Sequence, residues 1–299
     1  MEHVKTVLAP YIDTIALLEH EPMSRHTTFR IGGPARYFLN VTPDTPVGGV
    51  LSALNGAGIP VTIIGRGSNL LVHDAGIDGV VLCTLGLSRV SVDGSEVSAQ
   101  SGAALAQIAS AALAHSLTGA EFAAGIPGSL GGAVFMNAGA YGGSMSDLVT
   151  ESRYVLPDGT EGTLSGAEHA FQYRESIYKH HPERLILSAR LALRPGNPEE
   201  IHARMDDLAA RRRDKQPLEF PSAGSTFKRP EGYFAGRLIE DCGLKGCAIG
   251  GAQVSEKHAG FLINRGGATA DDMLRLIETV QSRVLSAYGV ELQCEVRLL

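Results

Sequence analysis

The chain has 299 residues and a net charge of −6, and its composition is 44% hydrophobic and 19% charged. This composition is typical of a folded globular protein, and the length predicts two or three domains. The acidic balance disfavours a nucleic-acid-binding function, and since no run approaches roughly 18 apolar residues, we expect no membrane insertion.

The start of the chain and its cysteines bear on location. Residues 1–20 place acids and histidines among their apolar residues, unlike the basic-then-apolar layout of a signal peptide. The cysteines form no CxxC or Cys/His ligand spacing; they are Cys83, Cys242, Cys247 and Cys294. We therefore expect a cytoplasmic protein without a structural metal.

The first part of the chain alternates between predicted strands and helices, which indicates an α+β lobe. In chain order we predict a strand at 28–41, a helix at 45–58, strands at 60–64 and 79–83, a hairpin at 89–99 and a helix at 103–116. Glycine is then so frequent over 121–143 that neither a helix nor a strand should be sustained throughout that segment.

Strand signals return after the glycine-rich segment and indicate a second lobe. We predict strands within 151–164 and at 184–193, a boundary at Arg194–Pro198 and a helix that ends at Gln216-Pro217. A final helix at 269–288 has Thr269 as its cap, Asp272 three residues later and Gly289 at its end. A strand at 290–299 follows.

A first glycine-rich loop, Gly65-Arg66-Gly67-Ser68-Asn69, follows a predicted strand directly. Its glycines allow backbone amides to face an anion such as a pyrophosphate. The loop is neither a GxGxxG nor a Walker sequence, because the following helix and the Gly-Lys-Ser/Thr are missing. From these residues alone, a phosphate cradle and a tight turn without a ligand both remain open.

A second glycine-rich loop runs from Gly125 to Gly143. Its small residues permit close backbone approach to a flat, extended ligand, and the Asn137 amide can both donate and accept. A flexible linker would not interleave apolar residues such as Leu130 and Val134. The loop therefore indicates a binding site.

Three further segments accompany the loops: Phe-Gln-Tyr-Arg-Glu-Ser at 171–176, Ala-Gly-Ser-Thr-Phe-Lys at 223–228 and Glu-Val-Arg at 295–297. Together these motifs resemble the UDP-N-acetylenolpyruvoylglucosamine reductase (MurB) family, from about residue 27 to the end. Lys228-Arg229-Pro230 departs from the Lys-Asn-Pro of many members. It resembles the shorter, second subtype, which lacks a substrate-covering loop that bears a tyrosine.

The resemblance implies an α+β protein with the FAD-binding fold of the vanillyl-alcohol oxidase type. Its two α+β lobes would comprise residues 1–85 and 86–196. A third, α/β lobe at 197–299 would bind substrate, and its final strand would return Glu295 to the active site.

The resemblance also implies a reaction and its cofactors. NADPH would reduce non-covalently bound FAD, which would then pass hydride to UDP-N-acetylglucosamine enolpyruvate and give UDP-N-acetylmuramate, a peptidoglycan precursor. We expect a monomer or weak oligomer. Two rival functions remain open: another flavin enzyme on the same scaffold, such as an oxidase, and a non-catalytic protein that binds flavin or UDP-sugar.

Three catalytic residues follow from the resemblance: Arg174 would stabilise an enolate, Ser225 would donate a proton, and Glu295 would act beside them. Each has a plainer alternative. Ser225 could close a turn, Arg174 could pair with Glu175, and Glu295 could lie with Arg297 on a solvated strand face.

The binding residues are implied in the same way. Those expected to contact FAD are Gly65, Arg66, Gly67, Ser68, Asn69, Ile126, Pro127, Gly128, Gly131, Gly132, Asn137, Ala138 and Gly139. Those expected to contact substrate are Tyr173, Lys215, Arg229 and Arg297. Lys215 also ends a basic run at 211–215 that could simply face a helix dipole. His258 could be structural or position the substrate.

Overall fold

A computed structural model describes residues 2–299, and its internal contacts divide the chain into two compact units. The first unit comprises the described residues up to Glu19, Arg36–Arg66 and Asp78–Ala210. The second comprises His20–Ala35, Gly67–Ile77 and Arg211–Leu299. The predicted three-lobe division at residues 85 and 196 stays a prediction.

The helices are α1 Glu2–Leu8, α2 Val47–Gly56, α3 Leu105–Ala114, α4 Leu130–Met136, α5 Ile177–His180, α6 Pro198–Lys215, α7 Ala235–Asp241 and α8 Ala270–Tyr288. The strands are β1 Ile15–Pro22, β2 Pro34–Val41, β3 Val61–Ile64, β4 Leu70–Leu71, β5 Ile77–Cys83, β6 Val90–Asp93, β7 Glu96–Gln100, β8 Leu117–Thr118, β9 Gly139–Ala140, β10 Gly143–Ser144, β11 Val149–Val155, β12 Glu161–Ser165, β13 Leu185–Ala192, β14 Arg194–Pro195, β15 Ala248–Ile249, β16 Ala252–Val254, β17 Leu262–Asn264 and β18 Arg297–Leu298. Among the described residues, none of these helices combines the length and apolar character needed to cross a membrane.

Two larger sheets account for most strands up to Ala192. The four-stranded sheet has the order β1-β2-β5-β3, with β3 and β5 parallel. The five-stranded sheet has the order β12-β11-β13-β7-β6 and is antiparallel throughout. Each sheet contributes to its own buried apolar cluster in the first unit. Leu130 and Val134 of α4 belong to the cluster of the five-stranded sheet, so burial of their side chains anchors the second glycine loop.

The second unit combines segments that are far apart in sequence. Phe29, Leu71 and Val296 are buried in one cluster with the inner face of α8. The short strand β18 pairs in parallel with β4, so that Arg297 lies opposite Leu70. The residues after the first glycine loop and the final strand therefore belong to one folding unit.

The start of α8 confirms the capping signature in the sequence. Thr269 Oγ1 accepts a hydrogen bond from the Asp272 amide at 3.0 Å, and the Asp272 carboxylate accepts one from the Thr269 amide at 3.1 Å. Asp74, which no local pattern singled out, accepts from the first two helical amides at 2.9 and 3.1 Å. Gly289 ends the helix with a φ of 66°.

Two predicted strands are shorter than expected. The strand predicted at 28–41 begins only at Pro34, because Thr27 Oγ1 bonds to both the amide and the carbonyl of Ile31 and closes a turn. The strand predicted at 290–299 is regular only over Arg297–Leu298.

Two short elements occupy sequence that was expected to interrupt regular structure. The seven-residue helix α4 forms inside the glycine-rich segment, because burial of its apolar residues offsets the cost of ordering the glycines. A boundary was predicted at Arg194–Pro198. Arg194–Pro195 nevertheless pairs with Leu117–Thr118, which is possible because a proline is tolerated at the edge of a two-stranded sheet.

Thr269→Ala should lower the free energy of unfolding by about 1 kcal/mol, because α8 would lose a side-chain cap. Urea denaturation followed by circular dichroism measures this change. Thr279→Ala is the matched control: its hydroxyl bonds to the Arg275 carbonyl within the same helix, and alanine favours helix there. Equal losses in both variants would contradict the capping role.

Candidate active site

The first glycine loop is divided between the units: Gly65 and Arg66 belong to the first, and the remaining three residues to the second. Gly67 has a φ of 64°, and a Cβ there would lie 1.9 Å from the His26 carbonyl oxygen. The position therefore requires glycine. The Gly67 carbonyl accepts a hydrogen bond from the Thr28 amide at 3.2 Å. Thr28 Oγ1 is itself buried and has no partner in the described part of the chain.

Gly65, at the end of β3, approaches the second glycine loop closely. A Cβ at Gly65 would lie 2.3 Å from Ser129 Oγ. Ser129 is the N-cap residue of α4, yet its hydroxyl makes no capping bond and is buried without a partner among residues 2–299. The two glycine loops thus meet inside the first unit, at an unsatisfied hydroxyl.

The first turn of α4 lies against Ser101. The Gly131 amide donates to the Ser101 carbonyl at 2.7 Å, and a Cβ at Gly131 would lie 2.9 Å from Ser101 Cβ. Ser101 Oγ is a further buried hydroxyl for which residues 2–299 supply no partner. The close approach explains why a glycine stands at position 131.

These three hydroxyls test whether the loops suit FAD. A buried hydroxyl that is left without a partner costs about 1–3 kcal/mol, so native proteins rarely leave one unsatisfied. Here the first unit holds two such hydroxyls and the second unit holds one, each beside a glycine-loop residue. FAD carries phosphate oxygens and ring acceptors that could receive these hydroxyl protons. The residues therefore fit the cofactor.

Sequence reasoning missed these hydroxyls. Ser129 stands inside the predicted second loop, and its place at a helix start was the signal that could have identified it. Thr28 and Ser101 lie outside both loops and gave no comparable signal. Among the predicted cofactor residues, Arg66, Pro127 and Gly132 are exposed, whereas the others are half-buried or buried.

Asn137 ends α4 in the left-handed conformation, with a φ of 42°. Its Nδ2 donates to the Gln172 carbonyl at 2.9 Å, and its Oδ1 accepts from the Ser146 amide at 2.9 Å. The amide thus joins the second glycine loop to the segment that contains Arg174. Its contact with FAD stays a prediction.

Arg174 lies in a two-residue turn beside that loop. Gln172 and Glu175 close the turn with two backbone hydrogen bonds, both of 3.1 Å. Arg174 Nη2 donates to the Gly139 carbonyl at 3.1 Å. The guanidinium lies 5.4 Å from the ring centroid of Tyr173, which is 56% exposed. The first unit therefore presents one predicted catalytic residue and one predicted substrate contact together.

Ser225 is exposed and is held by its neighbours in the second unit. Gly224 before it has a φ of 79°. Thr226 after it is fully buried; its amide donates to the Gly260 carbonyl at 2.9 Å, and its Oγ1 accepts from the Leu262 amide at 3.2 Å. The backbone of Ser225 therefore forms part of a turn, as the plainer alternative held. Its side chain nevertheless remains accessible.

Glu295 adjoins this segment. Its amide donates to the Thr226 carbonyl at 2.8 Å, and its carbonyl accepts from Asn69 Nδ2 at 3.0 Å. The Arg297 amide donates to the Asn69 carbonyl at 3.0 Å. The second unit therefore brings together Asn69, the Ser225 segment, Glu295 and Arg297. Arg174 belongs to the first unit.

Glu295 and Arg297 are both half-buried. They therefore do not lie on a fully solvated strand face, which was the alternative for this pair. Burial lowers the pKa of the Arg297 guanidinium. Burial also raises the pKa of the Cys294 thiol, whose Sγ lies 3.5 Å from the Thr226 carbonyl oxygen. The carboxylate and the guanidinium are thus partly withdrawn from water, which strengthens their electrostatic interactions.

Further cations of the second unit have defined contacts. The Arg229 guanidinium lies 4.0 Å from the centroid of the Phe234 ring, and its Nε donates to the Tyr233 carbonyl at 3.3 Å. Lys257 Nζ donates to the Arg213 carbonyl at 2.6 Å. Lys215 is the last residue of α6, as the sequence indicated.

His258 is engaged by its own turn. Its Nδ1 accepts a hydrogen bond from the Gly260 amide at 3.1 Å, and its ring packs edge-on against Phe261. Burial lowers the pKa of His258. These contacts favour the structural interpretation of this residue.

Comparison with known proteins identifies matches along nearly the whole chain. A family model described as "FAD binding domain" matches residues 38–165, and one described as "UDP-N-acetylenolpyruvoylglucosamine reductase, C-terminal domain" matches residues 216–299. The UDP-N-acetylenolpyruvoylglucosamine reductase of Caldanaerobacter subterraneus is 50% identical over 94% of this chain and 92% of its own. That of Pediococcus pentosaceus is 47% identical over 98% of this chain and 97% of its own.

A solved structure is similar as well. The crystal structure of UDP-N-acetylenolpyruvylglucosamine reductase (MurB) from Thermus caldophilus has a TM-score of 0.80 and 32% identity, and the match covers 95% of this chain and 98% of that one. The predicted α+β class and FAD-binding fold are thereby confirmed.

Gly65→Ala should reduce the FAD that co-purifies with the protein, because the added methyl group would lie 2.3 Å from Ser129 Oγ and displace it. The ratio of flavin to protein absorbance measures this. Gly56→Ala is the control, since a Cβ at the last residue of α2 meets nothing within 4 Å. A Gly65→Ala protein with the wild-type flavin content would show that the close approach of the loops is dispensable.

Proposed function

The chain belongs to the UDP-N-acetylenolpyruvoylglucosamine reductase family, and we propose that Arg174, Ser225 and Glu295 carry the chemistry of this family's reaction in it. The protein is an FAD-dependent oxidoreductase that reduces UDP-N-acetylglucosamine enolpyruvate to UDP-N-acetylmuramate in peptidoglycan precursor synthesis, with NADPH as reductant. The observation that carries the assignment of residues is the network Asn69–Glu295–Thr226, which joins the first glycine loop to two predicted catalytic segments.

The reaction sets the demands on these residues. Bound FAD would supply the hydride chemistry between NADPH and the enolpyruvyl carbon distal to the ether oxygen. The substrate then carries negative charge on the neighbouring carbon and its carboxylate. The protein must stabilise that charge and supply one proton to the carbon.

We propose that Ser225 supplies the proton. A serine hydroxyl is a very weak acid, so it serves only against a strongly basic carbanion with a cation near it. Two observations support the assignment: the side chain is exposed, and the buried Thr226 fixes the backbone next to it. A fixed donor needs no reorganisation at the moment of transfer.

We propose that Arg174 stabilises the enolate. Its guanidinium stays charged at every relevant pH and presents several donors in a plane, which suits a delocalised carboxylate. We propose that Glu295 acts in the same reaction. Its support is its backbone bond to Thr226, next to the proposed proton donor.

The substrate is an anion, whereas the protein carries a net charge of −6, so local cations must bind it. We propose that Lys215, Arg229 and Arg297 fill this role together with the exposed ring of Tyr173. The contact of Arg229 with the Phe234 ring supports it, because the contact orders the guanidinium before any ligand binds.

The cellular setting completes the proposal. We propose a cytoplasmic monomer or weak oligomer that acts with UDP-N-acetylglucosamine enolpyruvate and NADPH, without nucleic acid or membrane insertion, and that serves cell-wall formation, cell shape and division. The four free thiols suit a reducing compartment.

A turnover assay tests the function. The purified protein should be yellow, and its oxidation of NADPH should rise severalfold or more when the enolpyruvyl sugar nucleotide is added. Rapid oxygen consumption without the sugar nucleotide would instead indicate an oxidase. Absence of turnover from a yellow, folded protein would indicate a binding protein.

Ser225→Ala should leave flavin reduction by NADPH nearly intact, because no proton from Ser225 is needed before hydride reaches the substrate. Reoxidation of the reduced flavin by substrate should slow roughly 10²–10⁴-fold, the range for loss of a general acid. Stopped-flow absorbance measures both half-reactions separately.

The control is Ser222→Ala, three residues earlier in the same segment, where the backbone bridges to Ile263 and the side chain has no assigned role. It should retain both half-reactions. Loss of reduction by NADPH in Ser225→Ala, together with turnover, would contradict the assigned role of Ser225.

A further inference from the structure

Lys179 takes no part in the chemistry derived above, yet its side chain is only 19% exposed and bonds directly to the Arg174 turn. Its Nζ donates to the Arg174 carbonyl at 3.0 Å and to Glu175 Oε1 at 2.7 Å. We propose that Lys179 is a positioning residue that holds Arg174 in the conformation required for reaction. The inference rests on the proposed function of Arg174.

The backbone of Arg174 explains why it needs such support. Its φ of 57° places it in the left-handed region, at the second central residue of a two-residue turn. That place favours glycine or asparagine, since a side chain there crowds the backbone. Arginine therefore stays in this conformation only where the surroundings over-determine it.

Lys179 supplies one contact that can hold Arg174 in this backbone conformation. An ammonium group bonded to the Arg174 carbonyl fixes the orientation of the peptide unit that follows Arg174, and hence the direction in which its side chain leaves the turn. Glu175 sets the position of that ammonium through its carboxylate and remains within the same turn. The result is a closed ring of contacts from Arg174 through Lys179 to Glu175.

The helix that carries Lys179 is itself fixed. Tyr178, next to it in α5, is fully buried, and its hydroxyl lies 2.6 Å from Ser152 Oγ, which lies 2.8 Å from His169 Nε2. Burial raises the pKa of Tyr178 to about 12, so the phenol stays neutral. Ser176 Oγ donates to the Phe135 carbonyl in α4 at 2.7 Å. Lys179 therefore acts from a rigid base.

A double-mutant cycle tests the role of Lys179. Lys179→Met keeps an unbranched, flexible side chain that lacks the terminal ammonium, and so removes its charge and donors. We expect kcat for the enolpyruvyl sugar nucleotide to fall roughly a hundredfold, the cost of a misplaced catalytic group, while reduction by NADPH is unchanged. In an Arg174→Ala background, Lys179→Met should cause no further loss, because its effect passes through Arg174.

Flavin content and melting temperature are measured on every variant to exclude misfolding. Lys5→Met is the control and should behave as wild type, because it is the same substitution at an exposed lysine of α1 whose ammonium pairs with Glu19. If Lys179→Met does not fold, Glu175→Gln is used instead. Its neutral amide holds the Lys179 ammonium less firmly, so we expect a smaller loss of kcat with the enolpyruvyl sugar nucleotide.

The outcomes are distinguishable. Normal turnover of Arg174→Ala would overturn the proposed role of Arg174, and the positioning role with it. An impaired Arg174→Ala beside a normal Lys179→Met would overturn the positioning role alone. A loss from Lys179→Met that persists undiminished in the Arg174→Ala background would show that Lys179 contacts the substrate directly, and would overturn positioning as well.

Discussion

The parallel pairing of the final strand with the residues after the first glycine loop is the contact on which the candidate site of the second unit depends. Two backbone bonds join Arg297 to Asn69 and Leu299 to Leu71, and the Asn69 side chain adds a third, to the Glu295 carbonyl. Glu295 in turn bonds to Thr226 beside Ser225. A proposed cofactor loop and two proposed catalytic segments thus share one short ladder. Because the ladder is backbone-built, it tolerates side-chain variation while it keeps its register.

In the first unit the main constraint is the turn that holds Arg174 in the left-handed backbone region. The turn is closed by its own backbone bonds and tied to the second glycine loop by Asn137 and Ser176. Strained backbone at functional sites is commonly maintained in this way, by surroundings that leave no alternative conformation. In the second glycine loop the Ser129 hydroxyl has no partner among the described residues. A rigid loop with an unsatisfied hydroxyl suits a ligand site.

Much of this could be predicted from the sequence, where the controlling interactions are local. The cap of α8 depends on Thr269, Asp272 and Gly289 within one chain segment, and the sequence pattern located them correctly. The strand predicted from residue 28 was too long, because a single hydroxyl of Thr27 diverts the backbone and apolar alternation does not report such bonds. Non-local contacts gave no signal: Asp74 caps a helix almost two hundred residues away. No sequence pattern singled out Lys179 either.

The core of the second unit carries a consequence for how the chain acquires its structure. Phe29 and Leu71 are buried against residues near position 290, so their apolar partners are synthesised more than two hundred residues later. During synthesis these side chains remain exposed or only transiently covered until the residues near position 290 have left the ribosome. The first unit has its two clusters within the first 210 residues and can collapse earlier. The topology therefore sets the order of folding, because the long-range contacts of the second unit form last. Until they form, exposed apolar surface can aggregate unless chaperones bind it.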